Sequence, residues 1–67
     1  MTNLERANRA RVALKAYIGD DNTTESEAFG DLLCDLQHLA FQEQLEWGDK
    51  VMRSERLFEE EVREHEL

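Results

Sequence analysis

The stretch from Ala28 to Leu45 limits what this chain can fold into more than any other. It reads A-F-G-D-L-L-C-D-L-Q-H-L-A-F-Q-E-Q-L and is the only long apolar-rich run. Ala28, Leu32, Leu36 and Leu39, with Phe29, Leu33 and Ala40 beside them, recur at helical spacing. They form one wide apolar stripe on a helix, and the rest of the chain must supply its cover. The chain has no proline, three glycines and many Ala, Leu, Glu and Arg residues. That composition predicts an all-α fold.

A helix is predicted on each side of this one. Thr2 and Glu5 have the spacing of a capping box, so the first helix starts near Asn3. Leu4, Ala7, Ala10, Leu14, Tyr17 and Ile18 share one of its faces, with Arg11 at the edge. Gly19 follows Ile18 as a left-handed stop, and Gly19 to Thr23 has the chemistry of a tight reversal. Thr24 and Glu27 make a second capping box for the central helix. Gly30 within it is read either as a point of close helix approach or as a tolerated glycine costing ~1 kcal/mol.

No proline separates the central helix from the next, and local propensity permits one continuous helix. About forty residues is long for a helix in a small domain, so a break is expected near Gln44 to Glu46. Trp47, Val51, Phe58 and Val62 then share a face of the third helix, with Leu57 flanking. Ser54 interrupts that stripe with a small side chain, where another helix has room to approach. Arg56 lies at i, i+3 and i, i+4 spacing from Glu59 and Glu60, worth only ~0.3 kcal/mol each. Residues 63–67 are an acidic tail that opposes the helix dipole and is expected to fray. The expected fold is a three-helix bundle in a single domain, 1–67, with helices at about 3–18, 24–43 and 47–64.

A domain this short buries only ~60% of its unfolded surface, so its stability is marginal without help. The lone cysteine, Cys34, cannot form an internal disulfide. Dimerisation is the natural supplement, and the central helix suggests where. Gly30, Cys34, Phe41 and Leu45 form a second apolar stripe roughly opposite the first. Either a second copy covers it, or the first and third helices flank the central one and cover both stripes. Cys34, Phe41 and Leu45, with His38 beside them, are the candidate interface residues.

Charge is unevenly placed along the chain. The formal net charge is −8. Residues 1–19 carry Arg6, Arg9, Arg11 and Lys15 against Glu5 alone. Residues 20–48 carry Asp20, Asp21, Glu25, Glu27, Asp31, Asp35, Glu43 and Glu46 with no Lys or Arg. A nucleic-acid reader must neutralise phosphates, so direct nucleic-acid binding is not expected. The basic segment can lie against the acidic one, within or between subunits. More plainly, both are solvated faces that keep a small protein soluble.

The most site-like group is Asp31, Cys34, Asp35 and His38. Cys34 and His38 stack at i, i+4, which can begin a zinc site, but a closed site needs four ligands. His65 is the only other imidazole and lies in the acidic tail. Catalysis by Cys34 and His38 would need an orienting group and a pocket. The plainer reading is Cys34 as a small hydrophobe and His38 at a core rim or interface. The Asp20–Glu27 turn lacks the alternating ligands and central glycine of a calcium loop. No enzyme activity, metal or cofactor is therefore expected. No run of ~18 apolar residues marks a membrane span, the N-terminus lacks a signal-peptide core, and a free thiol suits a reducing cytoplasm.

Three features together carry a resemblance. They are A-N-R-A-R-V-A-L-K-A-Y (Ala7 to Tyr17), the acidic turn, and D-L-L-C-D-L-Q-H (Asp31 to His38). The chain resembles small uncharacterised all-helical proteins encoded in proteobacterial genomes, plasmids, conjugative elements and phages. Their third helix often opens with an acidic-aromatic pair, comparable to Glu46-Trp47. The resemblance spans about residues 3–62 and implies a break at 44–46. That family has no assigned activity, so no residue role is carried over. Phe41 to Gln44 and the acidic tail depart from its pattern. The expected role is a non-enzymatic protein–protein interaction or accessory module. The rival is an acidic inhibitor that mimics nucleic acid on a basic protein surface.

Overall fold

The structure is a computed structural model that describes residues 1–65. It contains three helices: α1 (Asn3–Ile18), α2 (Glu25–Gln42) and α3 (Trp47–His65). No strand occurs among the described residues. The all-α, three-helix expectation holds, with boundaries within a residue or so. Residues 63–65 are helical; the last two residues of the expected frayed tail lie outside the described residues.

Local chemistry accounts for each boundary. The Thr2 hydroxyl accepts from the Glu5 amide at 3.1 Å, and the Thr2 amide donates to Glu5 Oε1 at 2.7 Å. These bonds satisfy two amides that the helix itself leaves without partners. They also hold the Glu5 carboxyl below the usual carboxylate range, with the Thr2 amide as the main cause. Gly19 ends α1 at φ 65°, where a Cβ would be strained, and its amide donates to the Lys15 carbonyl. At α2 the Thr24 hydroxyl accepts from the Glu27 amide, and the Glu27 carboxylate returns to the Thr24 hydroxyl rather than to its amide.

The break between α2 and α3 falls where expected. The Leu45 amide donates to the Ala40 carbonyl at 2.8 Å, and the Gln44 amide to the Phe41 carbonyl at 3.3 Å. That pair of bonds is a Schellman motif, which closes a helix by putting one residue in the left-handed region. Here that residue is Gln44, at φ 58°, not a glycine. The Glu46 carbonyl then accepts from the Lys50 amide and begins α3.

Each helix contacts both others. The C-terminal half of α1 lies along α2, where Tyr17 Oη donates to Asp35 at 2.5 Å. The N-terminal end of α1 meets the C-terminal part of α3. Asn3 Nδ2 donates to the Glu61 carbonyl at 3.1 Å, and Arg6 Nε pairs with Glu61 Oε2 at 3.1 Å. Among the described residues the buried apolar ones are Leu14, Ala28 and Ala40. Ile18, Leu32, Trp47, Val51 and Val62 are half-buried.

The result is a flat, open frame rather than a filled bundle. Its extents are 35 × 30 × 16 Å and its radius of gyration is 13.7 Å. A compact chain of this length has a radius near ~11 Å. Of the two alternatives for α2, the one in which α1 and α3 cover both stripes does not hold, because the main stripe stays largely open. Leu4, assigned to the inner face of α1, is exposed as well. Ser54 is exposed and bonds back to the Val51 carbonyl, so no helix approaches it. A Cβ at Gly30 would meet nothing within 4 Å, which selects the tolerated-glycine reading.

Gln44 offers a direct test of this junction. Glycine lacks the Cβ that strains the left-handed region, so Gln44→Gly should stabilise the chain by about 0.5–1 kcal/mol, some 4–8 °C in Tm per kcal/mol. Thermal denaturation followed by circular dichroism, at fixed chain concentration, measures the change. A lower Tm would mean the motif does not hold the junction.

Candidate functional site

The opening in the frame is an apolar groove of about 1340 Å³. All three helices supply its walls. Ala7, Ala10 and Leu14 come from α1; Phe29, Leu32, Leu33 and Leu36 from α2; Phe58 and Val62 from α3. Helical spacing on α1 and α2 aims the small and large members of each stripe into one space. Phe29 is 61% exposed, Phe58 66% and Leu33 44%. Side chains of this size in a folded core are normally covered, and a cluster of open ones marks a contact surface.

Polar groups at the groove are few and balanced. Arg6, Arg11, Glu25 and Glu61 carry its charge. Arg6 is already engaged by Glu61, and Arg11 donates to Asn8 Oδ1 at 2.6 Å. The walls therefore offer dispersion and dehydration, with charged groups available to orient whatever lies there.

The residues expected to form an interface lie elsewhere. Cys34, His38, Phe41 and Leu45 are all exposed. Phe41, at 81%, is the most open large apolar side chain. Cys34, His38 and Phe41 point away from the groove by helical position, and Leu45 sits in the α2–α3 junction. The Asp31, Cys34, Asp35, His38 group is likewise solvated. Among the described residues, no cluster of His, Cys, Asp or Glu is arranged to hold a metal ion. The His65 side chain, named with them as a possible ligand, lies outside the described residues.

Two contacts escaped sequence reading because they join residues far apart in the chain. One is the Arg6–Glu61 pair. The other is Tyr17 to Asp35, which crosses from α1 to α2 beside Asp31 and Cys34. The bond to the Asp35 carboxylate is the main reason the Tyr17 phenol is pushed up to about 12. Burial and the charge of Asp35 add to the effect, with smaller contributions from Asp31 and Cys34. Compared with known protein families, curated proteins and solved structures, the chain matches none. No helix among the described residues is long and apolar enough to cross a membrane.

Tyr17 is the only tyrosine, so its ionisation can be followed by ultraviolet absorbance. Its midpoint should lie near 12 in the folded chain and return towards the ordinary value near 10 in Asp35→Asn. The folded state holds the phenol proton more tightly than the unfolded state. Its contribution to stability is thus fully present below about pH 10 and is lost as pH rises from there through the folded midpoint. A wild-type midpoint near 10 would mean the bond is not kept in solution.

Proposed function

We propose that the chain is a non-enzymatic protein–protein interaction module whose groove receives apolar side chains from a partner. The observation that carries this reading is the convergence of Phe29, Leu33, Leu36 and Phe58 on one open space. A groove of this kind suits recognition by apolar anchors set at helical spacing. Its energy comes from removing open apolar surface from water, at roughly 25 cal/mol per Å² before the costs of association. The exposed thiol of Cys34 suits a reducing compartment, which supports a place in the cytoplasm. The resemblance of Ala7–Tyr17 and Asp31–His38 to small proteins of mobile elements supports an accessory role there.

Replacing Phe29 by a photo-reactive benzophenone amino acid tests the reading in cells that make the protein. Irradiation should give a defined covalent adduct from position 29 and none from Arg56, exposed on the outer side of α3. Failure of position 29 to give any protein adduct would sink the groove as a contact site.

A second reading draws on a different surface. All eight carboxylates from Asp20 to Glu46 are exposed, and none is in an ion pair among the described residues. A run of this kind can occupy a basic, phosphate-binding surface on another protein. Such a complex should dissociate as NaCl rises from about 50 to 500 mM, because screening shortens the reach of exposed charges. Retention at the higher salt would exclude charge as the driving force.

A further inference from the structure

We infer that the occupant of the groove is a second copy of this chain, in a two-fold dimer that stacks the two open faces. The inference rests on the proposed interaction role and names its partner.

Surface area is the first argument. The chain exposes 5982 Å². A compact monomer of its mass, 7.9 kDa, exposes only about 4400 Å². The excess, about 1600 Å², lies within the roughly 1000–2500 Å² that each subunit of an obligate dimer buries. Shape agrees with area. Two frames, each 16 Å thick, make a body about 32 Å thick when stacked, close to the 35 × 30 Å of the other two axes.

Charge is the second argument. A chain at −8 repels its own copies where carboxylates dominate its surface, as on the outer side of α2. The groove is balanced. Its charged residues are Arg6 and Arg11 against Glu25 and Glu61, so they sum to zero. Two-fold symmetry sets this balanced face against itself, so no net charge opposes the approach. The outer side of α2, with Asp31 and Asp35 beside Cys34 and Phe41, has no such balance. That contrast places the dimer on the groove rather than on the Cys34–Phe41 side.

Stability is the third. Three buried apolar residues, two of them alanines, cannot offset the conformational entropy of ordering a chain this long. Folding must be linked to covering the groove, and the covering chain must be present whenever this one is made. A second copy meets that condition by itself.

Sedimentation equilibrium of the purified chain at about 50 mM and 1 M NaCl tests the inference. The expected mass is twice 7.9 kDa at both salts, because apolar burial is not screened and repulsion between acidic copies is. Leu33→Asp should lose the dimer, whereas Phe41→Gln should keep it. The reverse pattern would overturn the choice of face. A Leu33→Asp chain that failed to fold would also lose the dimer, so the wild type supplies a further arm. Its Tm should rise by about 5 °C for each tenfold increase in concentration, as for a dimer that dissociates on unfolding. A folded monomer with a concentration-independent Tm would overturn the inference. An adduct from position 29 to a different protein would then leave the interaction role standing with another partner.

Discussion

The apolar arc of α2 is wider than its two neighbours can cover. Taken at 100° per residue, it runs from Ala28 through Leu32, Leu36 and Phe29 to Ala40 and Leu33, about 140°. α1 covers the edge at Ala28 and Leu32, and the α2–α3 junction covers the edge at Ala40. The two buried positions on α2 are alanines, Ala28 at one edge of the arc and Ala40 nearer the other end of the helix. A methyl group lets a neighbour come close, so the larger side chains between the two contacts are carried into the open. The groove is the geometric consequence of small residues at the two contacts and large ones between them.

Stability is therefore divided unevenly between local and tertiary terms. Helix ends are well provided for. Thr2 and Thr24 cap the first two helices, Gly19 stops α1, and the Schellman bonds close α2 even though Gln44 must enter the left-handed region. Between helices there is much less: buried Leu14 on α1, one phenol–carboxylate bond, one amide–carbonyl bond from Asn3 to Glu61 and one ion pair. The Arg6–Glu61 pair is about one-third exposed on each side, so screening leaves it worth well under 1 kcal/mol. A chain built this way has well-specified elements and a weakly specified interior.

That division also decides what was legible in the sequence. Helix boundaries follow from caps, glycine and helix length, all of which act over a few residues. They could be read to within a residue or so. The wide stripe of α2 was legible too, but whether it would be covered was not. Coverage depends on the angles at which helices cross, and those depend on contacts such as Ala28 under α1 that no periodicity reveals. The same limit bears on the choice of interface. Cys34 and Phe41 read as a second stripe if the first is spent on the monomer's own core. Once Phe29, Leu33 and Leu36 are seen to be open, the first stripe is the larger unmet demand. Tyr17–Asp35 and Arg6–Glu61 carry no local signature at all.

Charge and apolar surface then act on separate parts of the molecule. The acidic residues from Asp20 to Glu46 are exposed, and most of them lie outside the groove; Glu25 at its rim is offset by Arg11. An apolar face without such surroundings would associate with any other apolar face. An approach through the outer side of α2 brings acidic surface towards acidic surface, at a cost that grows as salt falls. The exposed Arg9 and Lys15 of α1 lie apart from that surface. The negative charge thus penalises apolar contacts made through the outer side of α2, and in the proposed dimer it favours the balanced face.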